Sequence, residues 1–283
     1  MKSGTPSISE LSSTKTLHPG QPVRLAICVY GPVLSRTPKK DVEPYSSLAT
    51  IYDFVMRHVD YVHWADHVEA LIVRHNLVPS TMVDISCGTG SLVVELARRG
   101  YRIDGADASD EMLDVARNKV LDGGYEIGLY NQSFLELDGL GPHDCALSLY
   151  DSVNYLKSIA DVAGMFERVH TLLNRGGLFI FDVCTETNSI RHFRDMRERE
   201  RGDGFNYTRH SYFKEGVQYN DFRIKFDSPK REIHEHHQQR IYPLREIELA
   251  VSESPFNLEA AYDGFGFRDS SEESDRVHFV LRA

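Results

Sequence analysis

Two carboxylates and a pair of glycines carry the strongest chemical signal in this chain. The stretch Val83-Asp84-Ile85-Ser86-Cys87-Gly88-Thr89-Gly90 follows one apolar run and opens a helical one. Asp107 comes seventeen residues after Gly90, at the end of the next apolar run. In a parallel sheet such positions lie at the carboxyl edge, where nucleotide-like ligands bind. Glycines let the backbone approach a ligand, and an acid at the second strand end can accept hydrogen bonds from two ribose hydroxyls. Gly-x-Gly alone is a weak signal, because many strand-to-helix turns contain it. The dinucleotide fingerprint needs a third glycine, and Val93 stands at that position. Asp84 would repel a diphosphate and suits a ligand with a positive amino group.

Other elements must hold these residues in place. Trp64, Val68, Leu71, Ile72 and His75 follow one helix face, with Pro79 as the expected stop. Strands are expected at Met82–Ile85, Tyr101–Ala106, Glu126–Tyr130, Cys145–Leu149 and Gly177–Val183. Between them lie helices at Ser91–Arg99, from the N-cap Ser109 to about Val120, and at Ala160–Asn174. Strands apolar along their length and separated by helices mean an α/β fold, with a mostly parallel sheet covered on both faces. Beyond it, Tyr207–Phe213, Val217–Phe226 and Glu232–Ile241 read as antiparallel strands, with a hairpin-like turn at Lys214-Glu215-Gly216. Leu244–Ser252 reads as a helix, and Asn257–Tyr262 with Arg276–Leu281 as a closing strand pair. Residues 1–44 read as a flexible tail, with a weak strand signal at Val23–Val33.

With these elements in order, the motifs resemble those of class I S-adenosylmethionine-dependent methyltransferases. Asp84 to Gly90 is similar to the first motif of that family. Gly105-Ala106-Asp107-Ala108-Ser109, with Glu111-Met112-Leu113, is similar to the second. His143 to Leu156 resembles the fourth. Leu172 to Asp182 resembles the helix, Gly-Gly turn and fifth strand. The resemblance covers roughly residues 45–185. It implies a Rossmann-like seven-stranded sheet in a domain of residues 45–283, with an antiparallel β lid inserted after the fifth strand at about 205–250. It also implies S-adenosyl-L-methionine as cofactor. Asp84, Ser86 and the Gly88–Gly90 backbone would hold the methionine part, Asp107 the ribose, and Ala108 and Met112 the adenine faces. Ser133 and Phe134 stand at the adenine-amine contact, and Leu149 and Tyr150 would line the site. Tyr52, with Asp60-Tyr61-Val62-His63-Trp64, resembles the cap of one small-molecule branch, which brings Tyr52, Tyr61 and Trp64 to the cofactor. Ser86 replaces the commoner glycine, and Ser133 replaces an acid. Taken singly, Met112 and Trp64 could be core residues and the two acids turn caps; their joint placement favours the site.

Methyl transfer to an amine or hydroxyl needs alignment and an acceptor for the departing proton. The candidates are Tyr155, Asp151, His210, His234, His236 and His237. Tyr155 and Asp151 follow the fourth strand and face the expected substrate position. Asp151 could instead be a helix cap, and Tyr155 a packing aromatic. In Glu232-Ile-His-Glu-His-His-Gln-Gln-Arg240, strand alternation puts His234, His236, Gln238 and Arg240 on one face. Only two imidazoles align there, so no metal site is expected. A solvated polar face is the leading reading of this row; where the strand serves as a lid over the substrate, His236 is the residue expected there.

Composition excludes several classes. The charge sum of −10 and the lack of a dense Lys/Arg cluster argue against nucleic-acid binding. No run approaches the ~18 apolar residues of a membrane span. Cys28, Cys87, Cys145 and Cys184 show no CxxC spacing and read as buried free thiols of a cytoplasmic protein. The first 40 residues hold six Lys/Arg, ten Ser/Thr and one acid, which suits a disordered tail or an organelle transit peptide. The expectation is therefore methyl transfer to a small molecule. An NAD-dependent oxidoreductase and a non-catalytic cofactor-binding regulator are the alternatives.

Overall fold

The computed structural model describes residues 39–283; the strand signal at 23–33, Cys28 and the transit-peptide reading lie outside them. A short strand, β1 (Lys39–Val42), comes first. A 3-10 turn (Leu48–Ile51) leads into α1 (Tyr52–Val55) and then α2 (Tyr61–Arg74). Asp60 caps α2 by accepting the His63 amide at 3.0 Å. The buried stripe of α2 includes Trp64, Val68, Leu71 and Ile72, as the spacing predicts. The helix stops at Arg74, ahead of Pro79, because Asn76 turns the chain at a φ of 53°.

Strands and helices then alternate: β2 (Met82–Asp84), α3 (Ser91–Arg98), β3 (Ile103–Asp107), α4 (Asp110–Gly123), β4 (Leu129–Asn131), β5 (His143–Ser148), α5 (Ile159–Thr171) and β6 (Leu173–Cys184). Ser109 caps α4 by accepting the Met112 amide, and Ser158 with Asp161 forms a capping box on α5. After α6 (Glu186–Phe193) come β7 (Asp195–Gly202), β8 (Phe205–Lys214), β9 (Val217–Asp227) and β10 (Lys230–Arg240). The helix α7 (Leu244–Ser252) and strands β11 (Asn257–Asp263) and β12 (Arg276–Arg282) close the chain.

The main sheet has seven strands in the order β11-β12-β6-β5-β2-β3-β4. β2 to β6 run parallel, and β12 pairs antiparallel with both β6 and β11. The chain winds outward from β2 through β3 to β4, then returns to lay β5 on the other side of β2. That reversal leaves a crevice at the carboxyl ends of β2 and β5. One face of the sheet buries Phe179 and Phe181 against Phe166 of α5 and Ile247 of α7; the other buries Leu147 and Ile180 with Leu71 of α2 and Leu96 of α3. Phe181 and Phe279 stack with centroids 4.9 Å apart, which follows from their direct pairing across β6 and β12.

The second sheet has the order β1-β10-β9-β8-β7. It departs from the sequence expectation in three ways. It starts at Asp195 rather than near 205, because Asp-Met-Arg-Glu-Arg-Glu-Arg-Gly forms the edge strand β7. Alternating charge suits an edge that must not pair further. It ends at Arg240 rather than near 250, since α7 packs Ile247, Ala250 and Val251 into the main core. And residues 39–42, placed in the tail by sequence, pair parallel with β10. No helix among the described residues is long and apolar enough to cross a membrane.

Phe166 is fully buried between α5 and the aromatic face of β6. Phe166→Ala should destabilise the fold by about 3–5 kcal/mol, read as a lower denaturant midpoint.

Candidate active site

A cavity of about 580 Å³ opens at the carboxyl ends of β2 and β5. Its walls come mainly from four places, with α6 and Arg276 adding to them. The N-terminal cap contributes Tyr45, Tyr52, Tyr61 and Trp64; the β2 loop contributes Asp84, Ser86 and Gly88; the chain after β5 contributes Leu149, Tyr150, Asp151 and Tyr155; the second sheet contributes Glu198, Arg209, Gln218, Asn220, His237 and Gln239. Gly88 and Gly90 both take positive φ, 53° and 76°, which turns the backbone sharply into α3. A Cβ at Gly90 would also lie 3.1 Å from the Ala116 Cβ of α4. The cap is pinned to this loop, because Asp53 of α1 accepts the Thr89 hydroxyl at 2.6 Å and pairs with Lys119 at 2.9 Å.

Asp84 is the electrostatic feature of the site. It is 3% exposed and has no cation within 4 Å among the described residues. Its Oδ1 accepts the Ser86 amide at 3.0 Å, while the Ser86 hydroxyl lies 3.1 Å from that of Ser148. Burial, with the nearby Asp107 charge adding to it, pushes the Asp84 carboxyl up to about 7, although the Ser86 amide opposes the rise. Asp107 is also raised by burial, while its two oxygens accept the Gly88 and Ser109 amides at 2.9 Å each. A buried carboxyl at the cavity, with a second acid close enough to raise it and no counter-charge within 4 Å of the first among the described residues, suits a ligand that carries an ammonium group and ribose hydroxyls. The residues present therefore fit S-adenosylmethionine.

The chain after β5 is held by charge. Asp151 takes a φ of 52° and makes no capping bond, which removes the helix-cap reading. Its Oδ1 pairs with Arg276 at 2.6 Å, and its Oδ2 accepts Gln239 at 2.5 Å. Arg276 also pairs with the buried Asp182 and lies over the rings of Trp64 and Tyr150, 5.4 and 5.1 Å from their centroids. Tyr155 reaches the cavity, where its hydroxyl meets Tyr45 and His237.

His236 is a correction. Its side chain is 53% exposed and bonds Asp221 on the outer face of the lid, 2.9 Å away. The inward face of β10 carries Ile233, Glu235, His237 and Gln239 instead. The solvated reading holds for His236, Gln238 and Arg240, while His234 of the same row is largely covered and lies 3.1 Å from Glu232. Ile233 was the available signal: the one apolar residue in this polar run marks the buried face, and 235, 237 and 239 share it. Asp182 and Arg276 went unremarked too, although an acid inside Leu178-Phe-Ile-Phe-Asp-Val183 is itself a signal, since a buried acid needs a partner. Tyr45, placed at the start of the folded pattern, was not read as a site residue.

Not every expected contact reaches the cavity. Gly90, Asp107, Ala108, Met112, Ser133 and Phe134 are outside its wall. Met112 is buried under the loop, 3.3 Å from where a Gly88 Cβ would stand. Phe134 packs on the main core, and the Ser133 hydroxyl lies 3.3 Å from Glu136. Among the described residues no group of three or more His, Cys, Asp or Glu could hold a metal ion, and Cys87, Cys145 and Cys184 are buried free thiols.

A switch-point crevice with a glycine turn, the buried Asp84, the half-buried Asp107 beside it and a tyrosine-rich cap suits a nucleotide-like cofactor on a doubly wound sheet. A family model described as a methyltransferase domain matches residues 82–177. A protein of Geobacillus sp. (strain WCH70) that carries a methyltransferase name is 29% identical over 244 residues, 84% of this chain and 99% of its own. The solved S-adenosylmethionine-dependent methyltransferase of Clostridium acetobutylicum ATCC 824 superposes with a TM-score of 0.72 at 25% identity, covering 84% of this chain and 98% of that one. The sugar N-methyltransferase of Streptoalloteichus sp. ATCC 53650 shares the fold, with a TM-score of 0.68 at 16% identity over 92% and 99% of the two chains. Taken together, the family model, the relatives and the solved structures support a class I S-adenosylmethionine-dependent methyltransferase with S-adenosylmethionine as its cofactor. That assignment sets aside the oxidoreductase and non-catalytic alternatives.

Asp84 links the site to pH. Its folded value of about 7 lies above the ~3.9 of an unfolded aspartate, so ligand-free stability falls as pH rises from about 4 to 7. Asp84→Asn should be the more stable protein at pH 8, by up to ~4 kcal/mol, with the advantage gone near pH 4. The same variant should bind S-adenosylmethionine at least ~10-fold more weakly at pH 8, since a hydrogen bond to a charged group is worth about 1.5–3 kcal/mol. Denaturation at the two pH values and calorimetric titration check both signs.

Proposed function

We propose that the enzyme methylates an amine or hydroxyl of a small polar molecule bound between the cofactor and the lid. The observation that carries this reading is the lid: with the cap it roofs a cavity of about 580 Å³, within the range of small-molecule sites. The roof is polar and carries both signs. Arg209 donates to Asn220 at 2.7 and 3.2 Å and meets no carboxylate within 4 Å among the described residues. Its cross-strand neighbour Glu198 turns instead to the Tyr207 hydroxyl. The buried Gln218 Oε1 has no partner. A polar acceptor would satisfy these groups. The sugar N-methyltransferase title of a fold neighbour supports the same substrate class. The net charge of −10 speaks against nucleic acid.

In this reading Asp84, Ser86 and the Gly88–Gly90 turn hold the amino-acid end of S-adenosylmethionine. The family resemblance puts Asp107 at the ribose and Ala108, Met112, Ser133 and Phe134 at the adenine; all five lie outside the cavity wall, so this end of the cofactor extends beyond it. Tyr52, Tyr61, Trp64, Leu149 and Tyr150 enclose the cofactor. When bound, the cofactor supplies an activated methyl group on a sulfonium. The chain's own part is to align the acceptor and exclude water. Asp151, already engaged by Arg276 and Gln239, acts as a positioning residue for the Tyr150–Tyr155 turn rather than as a base. Tyr155 faces the acceptor.

The direct test is S-adenosylhomocysteine release by the full chain with panels of amines, amino sugars and phenols, set against tRNA and protein acceptors. Turnover confined to the macromolecules would overturn the small-molecule reading. For an acceptor that is turned over, Arg209→Met should raise KM about 10–100-fold, with calorimetric affinity for S-adenosylmethionine unchanged.

A further inference from the structure

Four side chains outside the cofactor contacts form an unbroken hydrogen-bonded line from the cavity into the lid. The Tyr45 hydroxyl donates to that of Tyr155 at 2.6 Å. The Tyr155 hydroxyl lies 3.1 Å from His237 Nδ1. His237 Nε2 lies 3.2 Å from Glu235 Oε2. His237 is 1% exposed and Glu235 0%. Tyr45, Tyr155 and His237 all line the cavity.

The donor directions follow from the end of the line. Both Glu235 oxygens already act as acceptors: Oε1 takes the Ser47 and Leu48 amides at 2.6 and 2.7 Å, and Oε2 takes the Tyr45 amide at 2.8 Å. A carboxylate offers no proton, so His237 must carry its own on Nε2. Nδ1 of a neutral imidazole is then an acceptor, and Tyr155 must donate to it. The Tyr155 oxygen is in turn free to accept from Tyr45. The Tyr45 oxygen keeps lone pairs that this line does not use.

Tyr45 belongs to the cap, not the lid. It holds a φ of 65°, uncommon for a residue with a side chain, and such strain collects at functional sites. The strained backbone is what lets its amide reach Glu235 while its hydroxyl reaches Tyr155. The line is therefore complete only when the cap is seated on Glu235.

We propose that Tyr45, Tyr155, His237 and Glu235 form the proton relay that serves as the base for methyl transfer, assembled by docking of the cap onto the lid. It rests on the reading above that the acceptor is an amine or hydroxyl. The acceptor gains the methyl group through its lone pair, and the pair of the broken carbon–sulfur bond stays with the leaving sulfur. The acceptor's proton passes to the Tyr45 oxygen, that of Tyr45 to Tyr155, and that of Tyr155 to His237 Nδ1. The resulting imidazolium faces the Glu235 carboxylate. Burial raises both phenols above their ordinary range, so they pass protons on as neutral hydroxyls rather than standing as phenolates. Asp151 and Arg209 also act on Tyr155, the first opposing and the second favouring loss of its proton.

The first test needs no acceptor. In the full chain with 15N-labelled histidine, the His237 signal is identified by its loss in His237→Gln. It should show a neutral ring with the proton on Nε2, and Nδ1 should shift in Tyr155→Phe and, less, in Tyr45→Phe. A proton on Nδ1, or no response to Tyr155→Phe, overturns the relay. The second test uses any acceptor the wild type methylates. Tyr45→Phe and His237→Gln should lower kcat/KM by about 10²–10⁴-fold, with calorimetric S-adenosylmethionine affinity kept. Unchanged kcat/KM in both overturns the relay. A wild type that binds the cofactor yet methylates no amine or hydroxyl sinks the parent reading, and with it the relay's catalytic role, whatever the imidazole signal shows.

Discussion

Glu235 is the point at which three parts of the molecule meet. Its carboxylate sits on the inner face of the lid with no solvent exposure, and among the described residues no Lys or Arg pairs with it. It is stabilised by three backbone amides of the cap and by His237. A carboxylate left without those bonds would be costly to bury. The cap is therefore tied to the lid by the same group that fixes the His237 tautomer. At its other end the cap is tied to the glycine turn, through Asp53 with Thr89 and Lys119. The cavity exists because one segment, 45–64, is anchored at both sides of it.

The main sheet supplies the opposite kind of electrostatics. Asp84 lies at the end of a central strand with no charge to balance it, and the fold bears the cost of its burial. Such local cost is found at functional sites, where it is offset when ligand binds. Nearby, Asp151 and Asp182 share Arg276 from the last strand, so those acids are neutralised within the protein. The contrast assigns the roles. Asp151 and Asp182 are tied into the wall by Arg276, whereas Asp84 has no cation within 4 Å among the described residues, which is the basis for reading it as the ligand-facing acid.

Much of this was legible from residue order. The turn from Asp84 to Gly90, the acid at Asp107, the cap of Ser109 and the apolar strand 178–183 are local patterns, and each lies where its spacing predicts. The amphipathic stripe of α2 is local as well. The errors in the second sheet share a cause. β7 alternates charges on both faces, so it lacks the apolar contrast by which a strand is recognised. β10 has the same defect, and its faces were assigned the wrong way round at His236. Asn76 rather than Pro79 ended α2, because a positive-φ residue can stop a helix without any proline.

Sequence alone determined the doubly wound sheet, the carboxyl-edge site and the cofactor class. The sheet depends on short-range periodicity; the site and the cofactor class depend on the resemblance of several motifs in order, since each residue taken singly also has a structural use. Tertiary structure alone decided which lid residues face the cavity, that residues 39–42 extend the lid, and that Tyr45, Tyr155, His237 and Glu235 lie in line. Those contacts join positions 110 and 190 apart in the chain. No local pattern encodes them. They follow from strand register, and a shift of one residue would turn every side chain of β10 to the other face.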